Sequence, residues 1–162
     1  MVEHPVVVDL TARWAGPLLT SLLAAAGARV IKVEGRRRPD GARRGNAAFF
    51  DLLNHGKECV TVDFDDLSDV GFLHRLLASA DLVVEGSRPR VMDRLGIEPW
   101  RLAAGGVSWL SVTGHGRTGP AAVRVGFGDD AAVAGGLFVA GDPPMFVADA
   151  LADPIAGLAG AT

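Results

Sequence analysis

Short apolar runs rich in valine alternate along this chain with longer segments in which apolar residues recur at helical spacing. The short runs predict β-strands over residues 5–10, 29–34, 59–64, 81–85, 107–112 and 145–150. The longer segments predict helices over residues 16–26, 47–54, 67–80, 90–95 and 129–138. Apolar strands that alternate with helices favour an α/β fold with a parallel sheet, and its first βαβ crossover is expected to be right-handed.

An open, mostly parallel sheet with helices on both faces is Rossmann-like, and such sheets often bind dinucleotides. Glu34, at the end of the second predicted strand, is placed to hold a ribose hydroxyl. The turn after the first strand, however, contains one glycine, Gly16, where the dinucleotide fingerprint needs three. The sequence therefore argues against a dinucleotide site.

The composition bounds the class of protein. The chain has 162 residues, 49% of them apolar, which suits one folded domain with a sizeable core. A net charge of −3 does not indicate a nucleic-acid partner. The sequence contains no run of 18 apolar residues, which a membrane span would need. The single cysteine, Cys59, is expected to be buried in the third strand, and its lack of a disulfide partner favours the cytoplasm.

Five arginines lie between Arg36 and Arg44. Guanidinium groups match phosphate oxygens, so the cluster either faces an anionic ligand or forms a solvated loop. The histidines and the cysteine lack the spacing of metal ligands, and no metal is expected.

Asp153 ends an apolar run and precedes Pro154, which is typical of the start of a helix. Two interpretations of this carboxylate are open. It either caps the helix, which the local pattern favours, or it is a nucleophile delivered by a strand to a helix start.

Several sequence blocks, in order, resemble one family. They are DLTARWAGP at 9–17, AGARVIKVE at 26–34, NHGKECVTVD at 54–63, ADLVVE at 80–85, RPRVMDRLG at 88–96 and SVTGHGRTGP at 111–120. Together they resemble the class III CoA-transferases, a group that also contains the formyl-CoA and carnitine CoA-transferases and the α-methylacyl-CoA racemases. The resemblance covers essentially the whole chain.

The resemblance implies a reaction and a catalytic residue. In this family an aspartate attacks the thioester of an acyl-CoA, and an aspartyl-CoA thioester then passes CoA to a carboxylic acid. The matching residue is Asp153, because Gly157 follows it four positions later as in the family, whereas Asp149 lacks this spacing. Coenzyme A, as acyl-CoA, is thus the implied substrate.

The resemblance also implies CoA-binding residues. Arg13, Trp14 and Ala15 match the family segment that meets the pantetheine and nucleotide parts of CoA. Arg94 matches an arginine of the nucleotide site, and Arg36 lies near a further basic position after the second strand.

The chain departs from the family pattern at two places. Gly86 and Ser87 stand where the family usually has Asn-Phe, so one contact to CoA is lost or replaced. Phe127 stands where the racemases have a histidine, and without that base a transferase is favoured over a racemase.

The length is the largest departure. Relatives in the family are more than twice as long and add a small second domain and a C-terminal return segment. Residues 1–162 correspond to the N-terminal, CoA-binding α/β domain, and the expected partner is a second copy, in a homodimer, or a chain that supplies the missing half. The alternative function is that of a truncated, non-catalytic CoA-binding fragment or partner subunit.

Overall fold

The computed structural model of the protein describes residues 4–147 and 150–162. Its strands are β1 (Val6–Leu10), β2 (Arg29–Gly35), β3 (Glu58–Val62), β4 (Leu82–Glu85), β5 (Ser108–Ser111), β6 (Phe138–Val139) and β7 (Met145–Phe146). Its α-helices are α1 (Ala15–Ala25), α2 (Ala47–Asn54), α3 (Leu67–Ala78), α4 (Pro89–Arg94), α5 (Pro99–Ala104), α6 (Gly128–Ala134) and α7 (Ala152–Gly160). Short 3-10 helices span Gly41–Arg44 and Pro120–Val123.

The first five strands form one parallel sheet in the order β3-β2-β1-β4-β5. At its centre Val8 lies opposite Ile31 of β2 and Val83 of β4. The predicted α/β, Rossmann-like, parallel sheet is therefore confirmed. β6 and β7 form a separate antiparallel pair.

Successive residues of a strand point to opposite faces of the sheet, and here apolar side chains lie on both faces. Val8 packs with Leu73 and Leu77 of α3 on one face. Its neighbour Val7 packs with Leu19 of α1 on the other. The helices thus cover both faces, and among the described residues no helix is long and apolar enough to cross a membrane.

Glycine lets α7 lie close against α1. A Cβ atom on Gly157 would fall 2.8 Å from the carbonyl oxygen of Ala15 and 3.1 Å from the side chain of Leu18. Gly157 therefore marks a helix contact that has no room for a methyl group, and this contact fixes the position of the helix that carries Asp153.

Gly157→Ala is expected to lower the free energy of unfolding by about 1–3 kcal/mol, because the added methyl group forces the two helices apart. Gly71→Ala is the matched control, since Gly71 also lies inside a helix but its added Cβ would meet only the end of Arg75, at 3.6 Å. The control should raise stability by about 0.5–1 kcal/mol, through helix propensity. Urea denaturation measures both, and equal effects would show that the α1–α7 contact is not tight.

Two sequence predictions fail at the far end of the chain. The helix predicted over 129–138 ends at Ala134, because Gly136 adopts a left-handed conformation with φ of +84° and the chain turns into β6. The strand predicted over 145–150 is limited to β7 within the described residues, and residues 148 and 149 lie outside them.

The prediction that Cys59 is buried is also wrong. Cys59 is exposed, because β3 lies at the edge of the sheet rather than in its centre. A valine-rich run gives no information about the position of a strand within its sheet.

Candidate functional site

A cleft opens where the carboxyl ends of β1, β4 and β5 meet. The strand order runs outward from β1 in both directions, so this edge is the switch point at which open α/β sheets bind ligands. The cleft has a volume of about 370 Å³ and is lined by residues 10–16, 86–87 and 112–114, together with residues of α6 and α7. We call it the central cleft.

Asp153 lies in the wall of the central cleft, half-buried. The helix begins at Ala152, so Asp153 is inside its first turn, and the capping interpretation is wrong because Leu151 occupies the cap position. The carboxyl group lies against the start of α6, since a Cβ on Gly128 would be 2.7 Å from the Asp153 Cγ atom. The start of α7 and a glycine of α6 thus present this carboxylate to the cleft.

An outer cleft of about 490 Å³ adjoins the first. Arg13, Trp14, Phe127 and Asp153 line both clefts. The far wall of the outer cleft is built by the 3-10 helix Gly41–Arg44 and by α2. Asp153 can therefore be approached from two connected spaces.

The turn after β1 separates these spaces. Arg13 has a left-handed backbone, with φ of +74°, and its guanidinium carbon lies 5.2 Å from the centre of the Phe127 ring. Trp14 packs edge-on against Phe49 of α2, with 5.3 Å between the ring centres. Arg13 and Trp14 thus line the same two clefts as Asp153, and Ala15 lines the central cleft as the buried first residue of α1. A contact between CoA and these three residues stays a prediction.

A third depression, of about 420 Å³, is rich in arginine. We call it the arginine cleft, and five arginines line it: Arg13, Arg38, Arg88, Arg90 and Arg124. None of them forms an ion pair with a carboxylate of residues 4–147 or 150–162. Within the described part of the chain, no carboxylate neutralises these charges through an ion pair, which suits an anionic ligand.

Sequence reasoning missed three of these arginines, Arg88, Arg90 and Arg124. Arg88 and Arg90 come directly after β4, so their place at the carboxyl edge of the sheet was a usable signal. Arg38 was noticed only as part of the cluster between Arg36 and Arg44. Arg124 follows a loop and a 3-10 helix and gave no local signal.

The other two predicted CoA-binding residues lie elsewhere. Arg36 pairs with Asp69 at 3.1 Å and Arg94 approaches Asp65 at 3.8 Å, and both arginines are largely exposed. Neither lines the central, outer or arginine cleft. A contact between CoA and these two residues stays a prediction.

The arginine cluster is divided between structural and open positions. Arg37 pairs with Asp63 and Asp65, and Arg43 pairs with Glu34 at 2.6 Å. Burial alone would raise the pKa of Glu34, but hydrogen bonds from Arg43 and from the Asp40 backbone hold that pKa below its ordinary value. Glu34 is therefore engaged inside the fold rather than directed at a ribose.

A buried ion pair lies near the carboxyl end of β1, before the turn that borders the clefts. The Lys57 Nζ atom lies 3.1 Å from Asp9, and both side chains are fully buried. Burial would raise the pKa of Asp9, but Lys32, Lys57 and the hydroxyl groups of Thr11 and Thr20 together keep that pKa below its ordinary value. Asp9 is thus a stable anion at the end of the central strand.

Across residues 4–147 and 150–162, no three histidine, cysteine, aspartate or glutamate residues are grouped so that they could hold a metal ion. The protein is thus an α/β protein in which a carboxylate, that of Asp153, lies at the switch point of the sheet, and arginines line the cleft beside it.

Residues 3–162 match CoA-transferase family III, and the chain belongs to this family. An acyl-CoA transferase of Fusarium pseudograminearum is 32% identical over 94% of this chain. An acetyl-CoA:oxalate CoA-transferase of Acetobacter aceti is 35% identical over 72% of it. The alpha subunit of a succinyl-CoA–L-malate CoA-transferase of Chloroflexus aurantiacus is 34% identical over 96%.

Solved structures agree with this assignment. A hypothetical protein from Mycobacterium tuberculosis superposes with a TM-score of 0.88 and 32% identity over 99% of this chain. A CaiB/BaiF family protein from Brucella suis gives a TM-score of 0.86 and 32% identity over 97%. The chain spans 48% and 46% of these two proteins, and between 32% and 40% of the three curated relatives.

Proposed function

We propose that the protein binds an acyl-CoA across the arginine and central clefts and takes part in transfer of CoA to a carboxylic acid, with Asp153 as the nucleophile. The observation that carries this proposal is the position of Asp153, in the switch-point cleft and beside the turn that holds Arg13 and Trp14. The names of the three curated relatives, which describe CoA-transferases, support the reaction class.

The proposed reaction is balanced without an external oxidant or reductant. An oxygen of Asp153 attacks the thioester carbonyl, and the C–S bond breaks. CoA leaves as a thiolate, and the acyl group remains on Asp153 as a mixed anhydride. The thiolate then attacks the Asp153 carbonyl, which releases the donor acid and leaves an aspartyl-CoA thioester. The acceptor carboxylate attacks the carbonyl of this thioester and expels the thiolate, which gives a second mixed anhydride. The thiolate then attacks the acceptor carbonyl of that anhydride, which gives the new acyl-CoA and regenerates Asp153.

The arginine cleft suits the other end of CoA. CoA carries a diphosphate and a ribose phosphate, and guanidinium groups bind phosphate oxygens with paired hydrogen bonds. Arg13 borders both this cleft and the central cleft, so a ligand anchored by phosphates in the first has a direct path to Asp153 in the second.

Phe127 favours transfer over racemisation. Its ring lines all three clefts at the position where the resemblance places the racemase histidine. A phenyl ring cannot accept a proton from the α-carbon of an acyl group, so the two-base exchange of a racemase lacks one base here.

Intact-mass spectrometry after incubation with acetyl-, succinyl- and oxalyl-CoA tests the proposal. Attachment of CoA through an acyl bond, lost on treatment with hydroxylamine and mapped to the peptide that contains Asp153, is the expected result. If calorimetry shows that CoA binds but no adduct forms with any donor, transfer by this chain is wrong and the non-catalytic CoA-binding function is favoured.

We also propose that the chain associates with a second copy of itself. The β6–β7 pair exposes large apolar side chains, among them Phe138, Met145 and Phe146, which are 44%, 59% and 61% exposed. Apolar groups clustered in this way are typical of contact surfaces.

A cytoplasmic location stays a prediction from the single cysteine.

Analytical ultracentrifugation is expected to show a sedimentation coefficient that rises with concentration. The double variant Phe138→Ser/Met145→Ser should weaken this association at least fivefold, because it removes apolar area from the pair. Leu67→Ser, which removes an 89% exposed leucine from α3, is the control and should leave association unchanged. A wild-type protein that sediments as a monomer at all concentrations would contradict the proposal.

A further inference from the structure

The turn between β1 and α1 is fixed in an unfavourable conformation. Arg13 is the only non-glycine residue among those described that has a left-handed backbone. A side chain in this region costs conformational free energy, and such residues persist only where surrounding contacts determine the backbone. The contacts that hold Arg13 are therefore of interest for the site that it borders.

Asp40 supplies one of these contacts. The backbone N–H of Arg13 donates to both carboxylate oxygens of Asp40, at 3.1 and 3.2 Å. Asp40 is 4% exposed and also accepts a hydrogen bond from the backbone N–H of Ala42, at 3.0 Å. One buried carboxylate thus joins the Arg13 turn to the 3-10 helix on the opposite wall of the outer cleft.

Lys32 supplies the other contact. Its Nζ atom lies 3.1 Å from Asp40 and donates to the carbonyl oxygen of Thr11 at 3.0 Å, and its side chain is fully buried. The ion pair therefore holds the turn at two backbone points, the carbonyl of Thr11 and the N–H of Arg13.

We propose that Asp40 and Lys32 are positioning residues of the CoA site, which hold Arg13 in its left-handed conformation so that its guanidinium lies over Phe127, between the clefts. The proposal rests on the proposed function for its effect on CoA. Its backbone part is independent of that function, since it concerns the conformation of Arg13 in the unliganded protein.

Asp40→Ala tests the proposal by two measurements on the full chain. The Arg13 amide loses its acceptor, so its hydrogen exchange, followed by NMR, should accelerate at least tenfold. The affinity for CoA, measured by calorimetry, should fall at least fivefold. Asp40→Asn keeps an oxygen that can accept from Arg13, and it should restore most of the amide protection.

Asp81→Ala is the matched control. Asp81 also accepts a hydrogen bond from the backbone N–H of a residue far away in the sequence, Val6, at 2.7 Å, but it lines none of the three clefts. It should alter the free energy of unfolding without changing either the exchange of the Arg13 amide or the affinity for CoA.

The outcomes separate this inference from the proposed function. A folded Asp40→Ala protein with a protected Arg13 amide and wild-type affinity for CoA would overturn the inference. If the wild type does not bind CoA, the proposed function is wrong, whereas amide exchange still decides the role of Asp40. If Asp40→Ala does not fold, Lys32→Met/Asp40→Leu replaces it, because it removes both charges together as well as the acceptor of the Arg13 amide, and it should still weaken CoA binding.

Discussion

Asp153→Asn is expected to abolish the covalent CoA adduct and to reduce any turnover by at least about 10³-fold. An amide of the same size fills the same position in the central cleft, but it lacks the anionic oxygen that attacks the thioester. Affinity for CoA should stay within about twofold of the wild type, because the proposed phosphate contacts are made in the arginine cleft. Intact-mass spectrometry and calorimetry measure the two effects.

Asp129→Asn is the control for this experiment. Asp129 also lines the outer cleft, so its loss changes the charge near the site by the same amount. It should leave adduct formation intact. If Asp153→Asn still forms an adduct while Asp129→Asn does not, the nucleophile has been assigned to the wrong carboxylate.

Gly128→Ala is expected to slow adduct formation at least about 100-fold, since displacement of a reacting group by about 1 Å is enough for such a loss. The new methyl group would lie 2.7 Å from the Asp153 Cγ atom and 2.8 Å from the carbonyl oxygen of Ala150. Rotation of the carboxylate would relieve only the first of these two contacts, so the backbone at Ala150 must shift as well, and either movement displaces the Asp153 carboxylate. Stopped reactions analysed by mass spectrometry give the rate.

Gly45→Ala controls for a change of glycine in a cleft wall. Its Cβ would meet only the carbonyl oxygen of Ala42, at an ordinary contact distance of 3.5 Å, and adduct formation should continue at the wild-type rate. Unfolding curves for both variants separate displacement of Asp153 from general loss of stability. A wild-type rate in folded Gly128→Ala would show that the carboxylate does not need its present position.

The central sheet was predictable because its strands are apolar on both faces. Val7 and Val8 illustrate this, since both are buried and each packs with a different set of helices. β6 was missed, and within the described residues the strand predicted over 145–150 is limited to Met145–Phe146, because each strand of this pair contains two residues, too few for any periodicity. Local pattern thus predicts long, buried elements and fails for short, exposed ones.

The site was predictable only in part, for a related reason. Arg13, Trp14 and Asp153 lie in short motifs that resemble a family, and the structure places them along shared clefts. Arg36 and its partner Asp69 are 33 residues apart, and no local signal shows which carboxylate an exposed arginine will meet. Long-range pairing therefore decided which arginines of the cluster remained open to a ligand.

Arg13 and Phe127 border all three clefts, so no cleft can change its shape at these residues without changing the others. A ligand that moves the Arg13 guanidinium in one space alters the free energy of binding in the next. By thermodynamic reciprocity, the second ligand must alter the first by the same factor. Binding of the nucleotide end of CoA and binding of an acyl group or acid are thus expected to be thermodynamically coupled, and the coupling passes through the Arg13 side chain.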